Sequence, residues 1–224
     1  MLPVRGVGTT SMIIIGDAPY GTEAQQALPF SSTASNILAE ALHANNVIFN
    51  SCLATTVLSR PLPRDEEMDS LYVKSAKAGK ETGWEFINGI YASPTLVIAR
   101  RTLLAWLDTQ HANVVLLCGE LALWAVTGEL GVHTKRGSIY PSLPTSSGRV
   151  FKTVCTYSIR SVTQQLEYKP IFDRDVQRAC KELCTSAIRY PKWNFVISDN
   201  FQLVCSSLYT LLDLLDEGPR RLAV

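Results

Sequence analysis

The 224 residues carry 21 Lys and Arg against 20 Asp and Glu, a formal charge of +1, with 46% hydrophobic and 18% charged side chains. That balance supplies a sizeable core and excludes a disordered polyelectrolyte or a uniformly basic domain, while leaving room for a local basic rim. Six scattered cysteines without a C-x-x-C pair, no signal-peptide pattern and no apolar run long enough for a bilayer predict a soluble cytoplasmic protein with reduced thiols and no membrane partner.

In chain order, residues 11–15 (S-M-I-I-I), closed by Gly16, suit a strand buried on both faces of a parallel sheet. A loop with Pro19, Gly21 and Pro29 leads to helical spacing over residues 31–44, with Ile37, Leu38, Ala41 and Leu42 on one side. Residues 47–49 (V-I-F) read as a second short strand. From Arg60 the pattern dissolves into charges, Pro and Gly, and residues 60–92 read as an inserted charged loop with some helical character. A helix is predicted over residues 94–109, a third strand over 113–118 (N-V-V-L-L-C) and a helix over 120–127. A hairpin-like stretch, H-T-K-R-G-S-I-Y, then precedes a fourth strand over 150–156 and an amphipathic helix over 173–187. Strand–helix alternation of this kind predicts an α/β fold with a mainly parallel central sheet flanked by helices. Ligands of such sheets sit beyond the carboxyl ends of the strands, so the segments after each strand are the ones to read.

The segment after the first strand, G-D-A-P-Y-G-T-E-A-Q-Q-A-L-P-F-S-S-T-A-S-N-I-L (residues 16–38), resembles without a gap the first motif of the family-four uracil-DNA glycosylases. G-D-A-P-Y is also similar to the G-Q-D-P-Y motif of the family-one enzymes. Three further segments agree in order: V-I-F-N (47–50), V-V-L-L-C-G-E-L-A-L-W-A-V-T-G (114–128) with K-R-G-S (135–138) following, and F-K-T-V-C-T-Y-S-I-R-S-V (151–162) with D-R-D-V-Q-R-A (173–179) as closing helix. The resemblance implies a uracil-DNA glycosylase-like domain over residues 1–188 whose partner is DNA, single-stranded or duplex with a flipped base.

Cutting an N-glycosidic bond requires the nucleotide to leave the stack for a pocket. The pocket needs a flat ring, an amide to read the base edge, a carboxylate for water and an oxocarbenium ion, and a donor for charge developing on uracil O2. The resemblance assigns stacking to Phe30, edge reading to Asn50, the carboxylate roles to Asp17 and Glu23, exclusion of a thymine methyl at C5 to Tyr20 and O2 contacts to the backbone amides around Ala18. Arg136 and Arg160 are the candidate DNA contacts, Arg160 being also a candidate cationic substitute for the O2 donor. Each has an ordinary structural use as well: Phe30 in the core, Asn50 capping a turn, Asp17 satisfying loop amides, Glu23 as a solvated loop charge, Arg160 as a surface charge. Their joint spacing is what favours the site.

Two departures stand out. Where the family's last motif supplies a histidine donor this chain has Ser158, and a neutral hydroxyl is a weaker partner for a uracil anion; of His43, His111 and His133, only His133 is a candidate substitute. The four cysteine ligands of the family-four iron–sulphur cluster are also missing, with Cys52 near one position but alone, so no metal and no cofactor are expected.

Residues 189–224 form a separate strand–helix segment: N-F-V-I-S-D, then S-S-L-Y-T-L-L-D-L-L-D-E-G-P-R-R-L-A-V. They resemble the approach to the 3′–5′ exonuclease domain of phage-type family A DNA polymerases, which would make polymerase or exonuclease domains, in the same or a partner chain, a second partner and host cytoplasm the location. The alternative is a helical tail docked on the first domain. Two functions follow: a glycosylase of DNA replication or repair with weakened or altered base excision, or a non-catalytic DNA-binding module at the N-terminus of a phage polymerase.

Overall fold

A computed structural model describes residues 3–61, 71–189 and 200–216. Its contacts divide the chain into two compact units, Met1–Ile188 and Arg189–Val224.

The first unit is built on a five-stranded sheet in the order β2-β1-β6-β8-β7, formed by β1 (Met12–Gly16), β2 (Leu53–Thr56), β6 (Val114–Cys118), β7 (Ile139–Pro141) and β8 (Lys152–Thr156). The first four of that order run parallel; β7 pairs antiparallel with β8 at one edge. Every residue of β1, β6 and β8 is buried, as expected where helices cover both faces of a parallel sheet. The covering helices include α1 (Gly21–Gln26), α2 (Asn36–His43), α4 (Pro94–Asp108), α5 (Glu120–Thr127), α6 (Val132–Lys135), α7 (Ile159–Gln164) and α8 (Lys169–Lys181). Local chemistry sets their ends. Ser93 caps α4 by accepting from Leu96 N at 3.4 Å with Pro94 in the first turn, and α5 stops at Gly128, whose left-handed φ of 76° suits glycine.

The parallel register aligns four carboxyl ends: Gly16 stands opposite both Thr56 and Cys118, and Cys118 opposite Thr156. The chain therefore leaves the sheet at Val57, Asp17, Gly119 and Tyr157 along one edge.

Three sequence expectations are corrected. The second strand is Leu53–Thr56, not residues 47–49: Phe49–Ser51 is a single 3₁₀ turn, with Ser51 N bonding to Ile48 O and Cys52 N to Phe49 O. The 60–92 excursion is more than a charged loop. Where described, it holds a small antiparallel sheet in the order β3-β5-β4, made of β3 (Tyr72–Val73), β4 (Glu85–Ile87) and β5 (Ile90–Ala92), together with α3 (Ala76–Thr82). Trp124 Nε1 ties this sheet to α5 by donating to Ile87 O at 3.2 Å. The hairpin-like stretch is the short helix α6 followed by the edge strand β7. In the second unit the described element is α9 (Phe201–Asp216), with Phe201, Leu208, Tyr209 and Leu212 exposed; the strands read at N-F-V-I-S-D and L-A-V lie outside the described residues.

Candidate active site

A cavity of about 390 Å³ opens at the carboxyl ends of β1 and β6. One wall is apolar, made of Gly16, Ala18, Pro19 and Phe30; the facing wall is polar and comes from α7 and the turn before it, with Ser158, Arg160, Thr163 and Gln164.

Asp17 lies at the bottom, half-buried, on the residue after β1. Its Oδ1 accepts from Ala122 N at 2.8 Å in the first turn of α5. Gly119 makes the approach possible: with φ at +119°, its Cα carries no side chain where a Cβ would come within 2.1 Å of Asp17 Oδ2. Burial pushes the Asp17 carboxyl up to about 7, with a contribution from the Glu120 charge, and the amides at the start of α5 offset only part of the rise. The group therefore changes charge near neutrality.

Phe30 is buried, and the tip of its ring abuts the strand end, where a Cβ on Gly16 would come within 2.8 Å of Phe30 Cζ. Its backbone adopts φ +56°, a left-handed conformation that bulky residues take only when their surroundings hold them there. Tyr20 forms part of the same cavity, and its buried hydroxyl lacks a partner at hydrogen-bonding geometry among the described residues. Burial raises the Tyr20 pKa, while the neighbouring Thr163 hydroxyl and the Arg160 charge oppose the rise without being placed to satisfy the atom.

Glu23 is not a solvated loop charge. It is 2% exposed, and its carboxylate accepts from Tyr20 N at 3.0 Å, Ser32 N at 2.9 Å and Ser35 Oγ at 3.0 Å. Burial works to raise its pKa, yet these bonds outweigh it and the net shift is downward. With its oxygens committed, Glu23 ties the start of α1 to the 32–35 turn and so shapes the loop that carries Phe30.

Ser158 stands in the wall of the cavity as the cap of α7: its Oγ accepts from Ser161 N at 3.1 Å and lies 2.9 Å from Ser161 Oγ. Arg160, two residues on, also lines the cavity. Beyond Asp17 and Ser158 a second cavity of about 290 Å³ opens, walled by Glu120, His133, Tyr157 and Tyr168. There His133 Nδ1 lies 3.2 Å from Tyr157 Oη, and the Tyr157 and Tyr168 rings stack at 4.4 Å.

Two expected site residues are elsewhere. Asn50 precedes β2 instead of following it, is exposed, and does not line the cavity; its Oδ1 accepts from Arg5 Nη2 at 3.1 Å. The residue at the carboxyl end of β2 is Thr56, whose hydroxyl is internally bonded to Leu58 O at 2.7 Å. Arg136 does not line the cavity; its side chain is 31% exposed, with Nη1 3.2 Å from Asp175 Oδ1, and the buried Asp175 also accepts from Thr156 Oγ1 at 3.0 Å. The structure adds Thr163 and Gln164, which helical spacing from Arg160 would have flagged, and Ser35 and Cys118, which no local signal marks.

The cysteines do not fit an iron–sulphur centre. Cys52 is a buried core thiol pushed up to about 12, and among the described residues no group of three or more His, Cys, Asp or Glu is placed to hold a metal. No helix among the described residues is long and apolar enough to cross a membrane.

No curated protein matches the chain. The family model of the uracil DNA glycosylase superfamily matches residues 5–174, well over half of the sequence, and spans β1, β6, β8 and the whole cavity. The chain belongs to the uracil DNA glycosylase superfamily.

Proposed function

We propose that the Met1–Ile188 unit takes a pyrimidine nucleotide of DNA, single-stranded or flipped from a duplex, into the Asp17–Phe30 cavity and hydrolyses its glycosidic bond slowly. The observation carrying this reading is the convergence of Asp17, Tyr20, Phe30, Ser158 and Arg160 on one cavity at the strand ends. A carboxylate placed directly after the first strand, in G-D-A-P-Y, supports a family-four-like member that lacks the cluster.

Phe30 supplies the stacking face, Ala18 and Tyr20 border the ring, and Arg160 meets a phosphate. The C1′–N1 bond breaks with its electron pair moving into the base. Asp17, when ionised, stabilises the cationic sugar and accepts a hydrogen bond from the attacking water; the water oxygen closes on C1′ and its proton leaves through Asp17. The departing base needs a donor at O2. Ser158 offers one neutral hydroxyl, whose Oγ is also paired with Ser161 Oγ at 2.9 Å in a bond where either can donate. Loss of a well-placed donor costs about 10²–10³ in rate, hence the weakened excision.

The use of Ser158 as a helix cap favours a second reading, a DNA-binding module without catalysis. The sequence of residues 189–224 supports placing such a module ahead of the exonuclease and polymerase domains of a phage-type enzyme. The test is single-turnover incubation with uracil-containing single-stranded DNA, with abasic sites revealed by alkali. Slow scission by wild type and none by Asp17→Asn is the expected result. Tight binding without scission by the wild type would leave the binding module standing.

A further inference from the structure

The segment ahead of β1 brings to the stacking ring a side chain that the motif spacing does not mark. Arg5 is anchored by its backbone, which exchanges two 2.8 Å hydrogen bonds with Ala54 in an isolated antiparallel bridge to β2. From there the guanidinium reaches three groups. Nη1 donates to the Phe30 carbonyl at 2.5 Å, Nη2 donates to Asn50 Oδ1 at 3.1 Å, and the guanidinium carbon lies 4.7 Å from the centroid of the Phe49 ring. Phe49 in turn meets Phe30 edge-on, with centroids 6.1 Å apart. One cation thus grips the backbone of Phe30 at its left-handed residue and the neighbour that buttresses its ring. Asn50, exposed and outside the cavity, fixes the other arm of the fork.

We propose that Arg5 is a positioning residue for the ring on which the base stacks, and that Asn50 acts through Arg5 instead of touching the base. The inference rests on the reading of the cavity as a base pocket. A planar two-armed donor is what the geometry uses, so lysine, a compact point charge, is no substitute.

Two single-stranded oligonucleotides of one sequence provide the test. One carries 2′-fluoro-deoxyuridine, whose glycosidic bond resists hydrolysis; the other carries a tetrahydrofuran abasic analogue at that position. Wild type is expected to prefer the first. Arg5→Met is expected to lose about tenfold in affinity for the base-containing strand and to bind the abasic strand as wild type does, with Arg5→Lys behaving like Arg5→Met. Asn50→Ala should lose affinity for the same strand alone, and should add nothing in the Arg5→Met background. An Arg5→Met protein that weakens on both strands equally, or on neither, overturns the positioning role, as does full rescue by lysine. A further loss from Asn50→Ala in the double variant would mean that Asn50 contacts the base. A wild type that binds the two strands alike would remove the base platform and the proposal with it. Far-UV circular dichroism checks each fold; if Arg5→Met does not fold, Asn50→Ala, at an exposed position, carries the comparison.

Discussion

Asp17→Asn separates the chemistry of the site from its stability. The carboxyl is raised from 3.8 to about 7 chiefly by burial, so at pH 8 the folded protein holds an ionised group that would rather be in water. Three units correspond to about 4 kcal/mol of destabilisation at pH 8. The sign follows from proton counting: between pH 4 and 7 the unfolded chain has released this proton while the folded chain keeps it, so the contribution of this carboxyl to stability falls as pH rises through that window and levels off above it. At pH 5 the same difference costs about 1.5 kcal/mol. Asparagine keeps an acceptor for Ala122 N but turns an amide nitrogen toward the other α5 amides, a penalty of about 1–2 kcal/mol that does not depend on pH. The stability gap between Asp17→Asn and wild type should therefore widen in favour of the variant by about 2.5 kcal/mol from pH 5 to pH 8, because every other titrating group cancels in the comparison. Urea unfolding followed through the buried Trp124 measures it. A gap that stays constant would show the folded carboxyl titrating near its ordinary value and would refute the reasoning. Excision by wild type should rise between pH 6 and 8 as Asp17 ionises, and the variant should show none.

Ser158→His removes the cap bond to Ser161 N, costing about 1 kcal/mol in thermal unfolding, and should raise uracil excision at least about tenfold; no gain would mean that O2 does not face residue 158. Gly16→Ala drives a methyl into Phe30 Cζ and should cost about 1–3 kcal/mol while weakening oligonucleotide binding, with wild-type behaviour on both counts showing that the ring does not rest there. Arg160→Ala should lower the slope of log affinity against log salt by about one. Arg136→Ala should leave that slope unchanged and cost about 3 kcal/mol in urea unfolding by stranding the buried Asp175, and a reversal of the two slopes would exchange their roles.

The elements whose identity is carried by unbroken apolar runs were legible from composition and period: the buried strands around Ile14 and Leu116, the helix behind Ser93 and Pro94, and the fully apolar face of residues 120–127. So was the position of Asp17, since the residue after a buried parallel strand must emerge at the carboxyl edge of the sheet. Periodicity reports which way a side chain faces inside its own element; it does not report which segment the sheet will recruit as a neighbour. Val47 and Phe49 are as apolar as a strand requires, yet they pack into the core from a short loop and the start of a 3₁₀ turn, while L-A-T-T, with its two threonines, takes the ladder beside β1. That shift carried Asn50 out of the pocket. The remaining differences share one cause. Glu23, in the cavity lining, is bonded to amides from its own loop and a turn nine residues on, Arg136 pairs with a carboxylate 39 residues away, and Arg5 reaches Phe30 across 25 residues. A charged side chain in sequence carries no mark of whether its partner is water or a buried group of opposite sign, because the desolvation that forces the pairing exists only once the chain has folded.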